Sequence, residues 1–251
     1  MSSPPLLVAR GVRRAYRSGA LGLGRAKDVL GAGLDLTVQG GERVLIAGPN
    51  GSGKSTLLRV LAGVEQADAG RIELAGHSLA TRAGRRSLGY APDGCPFPME
   101  LSARHLIRLS GRLAGLDRGE ARDRGDAILA RVGLAADASR QLGHYSKGMQ
   151  RRFTLAQAFL TEPAVLLLDE PTDGLDAQGF GVLEALLDEA RARGAAVVLA
   201  SHVAALACDR IHVLMDGAWA FVGAPDELLD APGGLLAAYA QLARPGDRAA
   251  L

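Results

Sequence analysis

Residues 43–63 constrain this chain more than any other stretch. Arg43–Ala47 is a short apolar run, bounded by Gly40 and Gly41 before it and Gly48 after it. That pattern predicts a buried strand. Leu57, Leu58 and Leu61 recur at helical spacing, predicting a helix over 54–62 that ends at Gly63. Between strand and helix lie Gly48, Pro49, Asn50, Gly51, Ser52, Gly53, Lys54, Ser55 and Thr56, which fit G-x-x-x-x-G-K-[ST] in the context that gives the motif its meaning. Glycines let the backbone curl so that several N–H groups converge on anionic oxygens. The helix N-terminus adds partial positive charge. Lys54 is then placed to reach the β- and γ-phosphates of a nucleotide, and the Ser55 hydroxyl to ligate Mg²⁺. Only Lys27, Lys54 and Lys147 are lysines among 29 cationic side chains, so a lysine in this loop carries information.

A second motif supplies carboxylates. Val165–Leu168 is an aliphatic run ending in Asp169 and Glu170. A buried strand puts both acids at its C-terminal edge, where α/β sheets bind ligands. Asp169 is expected to hold Mg²⁺, directly or through water. Glu170 is left free to polarise an attacking water as general base or orienting group.

Hydrophobic residues make up 48% and charged residues 22% of 251 residues, which excludes a disordered or low-complexity chain. A net charge of +2 gives no reason to expect nucleic acid as a partner. Cys95 and Cys208 stand far apart and form no CxxC pair, so neither a disulfide framework nor a zinc ribbon is expected. No apolar run approaches the ~18–20 residues of a membrane span. The first residues do not read as a signal peptide, and a cytoplasmic chain is expected. Any work at a membrane would need spans from another chain.

Along the chain, Leu6–Val8 and Leu34–Val38 predict short strands, with a glycine-rich loop over Ser18–Ala26. Leu101–Leu116 and Glu120–Val132 predict helices joined by a Gly-Leu-Asp turn, and another helix restarts near Gly148 and runs to Leu160. Phe180–Arg193 reads as an amphipathic helix and Ala196–Ala200 as a buried strand. Ile211–Met215 and Ala218–Val222 read as a hairpin around Asp216 and Gly217. This order predicts an α/β core split by a helical subdomain. His202, Cys208 and His212 would be scattered by strand and loop geometry rather than gathered on a metal. His77, His105 and His144 are expected at the surface.

The segment between the two motifs is the discriminating one. Tyr145, Ser146, Lys147, Gly148 and Met149, followed by Gln-Arg-Arg, resemble the signature loop of ABC-transporter ATPases, usually Leu-Ser-Gly-Gly-Gln. Four other elements are similar to that family in order and spacing. They are Tyr16 upstream, Tyr90–Asp93 at the glutamine loop, Asp173–Asp176 at the D-loop, and Ser201-His202 at the switch histidine. The resemblance covers about residues 5–230. It implies a P-loop NTPase of RecA-like α/β fold, with an N-terminal antiparallel β subdomain and an inserted α-helical subdomain. The catalytic core would be 1–92 and 159–230, the signature subdomain 93–158, and the C-terminal helix or tail 231–251.

The resemblance also implies a mechanism. ABC ATPase domains pair head to tail, each ATP lying between one subunit's phosphate loop and the other's signature loop. Ser146 and Gly148 would then face a partner's nucleotide, His202 would contact the γ-phosphate, Asp176 would link the two sites, and Tyr16 would stack on adenine. The implied cofactors are ATP and Mg²⁺. The implied partners are a second copy of the chain and a separate transmembrane permease, which would hold the chain on the inner face of the membrane. Two positions depart from the pattern. Asp93 stands where the family has glutamine, able to meet Mg²⁺ or to act as a hinge to the helical insert, and Lys147 and Met149 replace glycine and glutamine. The signature variant resembles that of exporters with a separate permease. Cys95–Leu101 falls where the family docks a coupling helix. Phe97 and Met99 would either line that groove or pack within the insert.

Two further readings remain open on sequence alone. A soluble ABC-type ATPase acting on ribosomes or DNA usually carries two ATPase units, a long coiled coil or zinc-binding cysteines, and none is evident. An ATP-gated binding module with little hydrolysis fits poorly with Glu170 and His202 both present. A P-loop small-molecule kinase would leave the signature and D-loop segments unexplained.

Overall fold

The computed structural model describes residues 4–17, 26–202 and 206–229. The glycine-rich loop over 18–25 and the tail over 231–251 lie outside these. Three strands form the centre: β3 (Arg43–Ala47), β7 (Val165–Asp169) and β8 (Ala196–Ser201), buried at every position. Their sequences are nearly continuous aliphatic runs, as parallel strands covered on both faces require. With β6 (Leu88–Ala91), β9 (Arg210–Met215) and β10 (Ala218–Gly223) they form a six-stranded sheet in the order β10-β9-β3-β8-β7-β6. Only β10 runs antiparallel, through the expected hairpin that pairs Met215 with Ala218.

Strand alternation sorts the core into two layers. Val44, Ile46, Leu167 and Val198 pack with helix α1 (Lys54–Leu61) and a second sheet. Leu45, Ala47, Leu166, Leu168 and Leu199 face helices α5 (Lys147–Phe159) and α6 (Ala177–Ala192). The second sheet is antiparallel, in the order β2-β1-β4-β5. It comprises β1 (Leu7–Arg17), β2 (Ala26–Val38), β4 (Ala69–Leu74) and β5 (His77–Ser78). Between β6 and β7 lie α3 (Ala103–Ala114), α4 (Arg118–Arg131) and α5. Ser102 caps α3, Gly115 ends it at φ 104°, and Asp117 with Glu120 forms a capping box on α4. The short helices α2 (Arg82–Arg86) and α7 (Pro225–Leu229) are the remaining α-helices among the described residues.

The fold class agrees with expectation, but several elements differ in extent. β1 and β2 reach 11 and 13 residues, far beyond the short apolar runs that suggested them. They are half-buried antiparallel strands, so Arg10, Arg13 and Arg14 interrupt the apolar pattern, and register shifts interrupt the pairing. β4, β5, α2 and β6 went unread because so few of their residues turn inward; in β4 only Ile72 and Leu74 are buried. Helix α6 begins three residues earlier than the periodicity suggested, because the Asp176 carboxylate accepts the Gly179 N–H at 2.7 Å as its N-cap.

His212 is buried on β9, edge-to-face on Trp219 at 4.8 Å, with both ring nitrogens unpartnered among the described residues. Burial, helped by Arg210, lowers its pKa to about 4. As pH falls from 6.5 towards 4 the unfolded chain takes up the proton first, so the stabilisation from neutral His212 is lost across that window. His212→Leu is expected to flatten the fall of Tm between pH 7 and pH 4.5. An unchanged slope would assign the acid lability elsewhere.

Candidate nucleotide site

The phosphate loop closes on itself for a steric reason. Gly48 leaves β3 at φ 155°, and a Cβ there would stand 2.4 Å from the Leu214 carbonyl oxygen. Gly53 sits at φ 107° as the N-cap of α1, where a Cβ would press on Val29 at 3.0 Å. No side chain caps α1, and its first turn holds no acid. Its free N–H groups therefore face the loop with their partial charge uncompensated.

Lys54 is 6% exposed, and its Nζ donates to the carbonyls of Gly48 at 2.8 Å and Pro49 at 3.2 Å. Burial lowers its pKa, against the pull of Glu170 and Asp169. A buried ammonium whose hydrogen bonds, among the described residues, go to carbonyl oxygens is poised for an anion. The Ser55 hydroxyl donates to Asp169 Oδ1 at 3.2 Å. Two hard oxygens at that separation fit neighbouring positions around Mg²⁺, whose octahedral edges measure about 3 Å. Asp169 is 1% exposed, and burial raises its pKa although the Ser55 bond lowers it. A divalent cation would relieve that desolvation.

Glu170 follows β7 at φ 45°, a left-handed conformation in a non-glycine residue, with its N–H bonded to the Ala200 carbonyl at 2.8 Å. Its Oε2 accepts from Ser201 Oγ at 3.1 Å and meets His202 Nδ1 at 3.0 Å. Two neighbouring strand ends therefore bring Glu170 and His202 together, because β7 and β8 pair in parallel register. A cavity of about 450 Å³ opens over this group, bordered by Asn50, Gly51, Gly53, Lys54, Ser55 and Thr56 on one side and by Asp93, Glu170, Asp173 and His202 on the other. Ser52 borders an adjoining recess of about 330 Å³.

Of the other predicted site residues Asp93 borders this cavity, whereas Tyr16, Ser146, Gly148 and Asp176 do not line it. The Tyr16 hydroxyl donates to Glu65 and meets Thr56 Oγ1 at 3.4 Å, and the Arg14 guanidinium lies 4.9 Å from its ring centroid. Ser146 caps α5 by accepting the Met149 N–H, Gly148 lies against the Gly174 carbonyl, and Asp176 caps α6. Asp93 Oδ1 accepts from Arg151 at 3.2 Å. Phe97 stacks edge-to-face on Phe153 at 5.3 Å, whereas Met99 is 38% exposed, so the two residues divide between packing and surface. Phe97, Asp93, Tyr90 and Gln157 line a groove of about 640 Å³ that also reaches Ser55 and Asp169.

Sequence reasoning missed three residues here. Val29 comes from β2, distant in sequence, and no motif marks it. Asp173 enters the sequence reading only as the first residue of the D-loop-like segment, yet a carboxylate oxygen of it lies within 4.8 Å of ligating atoms of both Glu170 and His202. Arg151 is a buried arginine in a chain rich in surface arginines.

Residues 32–173 match the family model described as ABC transporter. The chain is 36% identical over 203 residues to the Nod factor export ATP-binding protein I of Burkholderia lata, covering 79% of this chain and 67% of that one. It is 39% identical over 207 residues to the daunorubicin resistance ATP-binding protein DrrA3 of Streptomyces coeruleorubidus, covering 80% and 66%. The chain thus spans about two thirds of the length of these relatives. Its fold superposes on the ATP-binding subunit of an ABC transporter with a TM-score of 0.81 at 28% identity, covering 95% of this chain and all of that one. A bacterial ABC transporter cassette solved as a dimer gives 0.78 at 25% identity, covering 87% and 98%. With its phosphate loop, its paired strand-end carboxylates and its buried lysine, the chain belongs to the ABC transporter family, as an ATP-binding ATPase subunit.

Proposed function

We propose that this chain hydrolyses ATP as a head-to-tail homodimer and powers export through a separate membrane permease. The observation that carries the chemistry is the Glu170 carboxylate, held by Ser201 and His202 beside the phosphate loop. Lys54 and the α1 N-terminus bind the β- and γ-phosphates. Magnesium, held by Ser55 and Asp169 with Asp93 in reach of the same cavity, would neutralise phosphate charge. Glu170 orients a water towards the γ-phosphorus and takes its proton. The bond from the γ-phosphorus to the bridging oxygen breaks, leaving ADP and phosphate. His202 keeps Glu170 in place and contacts the γ-phosphate. Tyr16 stacks on adenine.

Ser146 and Gly148 lie at the N-terminus of α5 and do not line the chain's own cavity, which supports their use at a partner's nucleotide. Asp176 then lies where the two sites communicate. In this reading 1–92 and 159–230 form the catalytic core and 93–158 the signature subdomain. The groove containing Phe97 receives the permease, and the chain sits on the cytoplasmic face of the membrane. Among the described residues no helix is long and apolar enough to cross a membrane, and in this reading the permease supplies the spans. Export is supported by the names of the two relatives, one for Nod factor export and one for daunorubicin resistance.

Ser146→Arg tests the dimer. ATP affinity of the monomer is expected to stay within about threefold of the parent, while ATP-dependent dimerisation, followed by light scattering in a Glu170→Gln background, disappears. Dimerisation at the parent's concentration would remove Ser146 from the interface.

A further inference from the structure

Arg151 lies one turn inside α5 and is 5% exposed. Its guanidinium reaches three separate segments. Nη1 donates to the Pro92 carbonyl at 2.8 Å and the Asp169 carbonyl at 3.3 Å. Nε donates to the Asp173 carbonyl at 3.4 Å, and Nη2 to Asp93 Oδ1 at 3.2 Å. Four hydrogen bonds from one planar group thus meet the loop after β6, the end of β7 and the turn beyond Glu170. A buried cation is tolerated only when such partners replace water. The rigid fork also fixes the directions in which those partners must lie.

A second contact joins the same helix to the same turn. Gly148 precedes Arg151 by three residues, on the same helical face, and a Cβ there would lie 2.8 Å from the Gly174 carbonyl oxygen. The turn carrying Asp173 and Gly174 is therefore held by α5 at two points. The partners of Arg151 are not alike. Pro92, Asp169 and Asp173 offer main-chain carbonyls, whereas the Asp93 side chain is 64% exposed. Asp93 also borders both the cavity over the phosphate loop and the groove containing Phe97.

We propose that Arg151 is a positioning residue that fixes the Asp169–Asp173 segment to the signature-bearing helix, and that its bond to Asp93 is the releasable one. The functional meaning rests on the ATPase reading above. In that reading Arg151 sets where Asp169 meets Ser55 and where Asp173 borders the cavity. Asp93 is then free to leave for the nucleotide side without loosening that segment, because the carbonyl bonds remain.

The test compares Arg151→Lys and Asp93→Ala in the full chain by hydrogen exchange and kinetics. Lysine keeps the charge but is a single point that cannot span three segments. Arg151→Lys is expected to speed amide exchange over 169–176 by about tenfold. It is also expected to lower kcat by roughly 10- to 100-fold, for the loss of about one charge-assisted hydrogen bond. KM should change less than threefold, with ATP-binding stoichiometry still one per chain, which separates misplacement from loss of folded protein. Asp93→Ala is expected to leave exchange over 169–176 within twofold of the parent. If Arg151→Lys does not fold, Arg151→Gln is measured instead, with the same expectations. Parent-like exchange and kcat in the Arg151 variant would overturn the positioning role. Exchange in Asp93→Ala as fast as in Arg151→Lys would overturn the releasable bond. A parent chain that binds no ATP would defeat the ATPase reading, while the exchange measurement would still judge the contacts of Arg151.

Discussion

Replacing Glu170 by glutamine is expected to slow ATP turnover by about 10³-fold while leaving nucleotide binding intact, within the range expected for loss of a positioned general base. The substitution keeps size and keeps an amide oxygen that can accept from Ser201 Oγ, now 3.1 Å from the carboxylate. What it removes is the group that takes the proton from water. Lys54, Ser55 and the α1 N-terminus are untouched, so affinity for a fluorescent ATP analogue should change less than threefold. A slow catalyst that still binds ATP should accumulate as a nucleotide-bound dimer. Phosphate release and light scattering on one preparation check both halves. Parent-like phosphate release would show that another group activates the water.

Lys54→Met should have the opposite profile, losing binding before chemistry. The lysine is poised to make charge-assisted hydrogen bonds to two phosphate groups, each contributing about 1.5–3 kcal/mol. The predicted loss in ATP affinity is therefore roughly 10²- to 10⁴-fold, read by calorimetric titration. The nucleotide-free protein should not suffer. Lys54 is a buried cation whose pKa is lowered chiefly by desolvation, and its hydrogen bonds among the described residues go to the carbonyls of Gly48 and Pro49. Removing it should leave Tm unchanged or higher, since an apolar side chain of similar length carries no desolvation cost. A large fall in Tm together with lost binding would mean that Lys54 holds the loop together rather than waiting for phosphate.

Much of the site was legible because its physics is local. A loop that must curl around phosphate needs glycines at fixed spacing, so Gly48 to Thr56 announce themselves. Buried parallel strands need unbroken aliphatic runs, so β3, β7 and β8 stood out with the acids at the end of β7. Pairing of β7 with β8 then brings Glu170 to His202, which no local pattern contains. Where a residue's role depends on what packs on it from afar, the sequence is silent. Val29 reaches the phosphate loop from β2, and Arg151 is distinguished from other arginines only by the three segments it meets. Asp176 was legible as a motif residue but not as a helix cap, because the apolar periodicity of α6 starts only at Phe180. The cap is what its carboxylate does within a single chain.

The left-handed backbone of Glu170 has a consequence for anyone engineering this protein. A side chain at φ 45° costs of order 1–3 kcal/mol relative to a residue at ease there. Glycine would be at ease. A library sorted for heat resistance alone should therefore enrich Glu170→Gly, and the hardiest clones would be the inactive ones. Selection for durability and selection for turnover pull this one position in opposite directions.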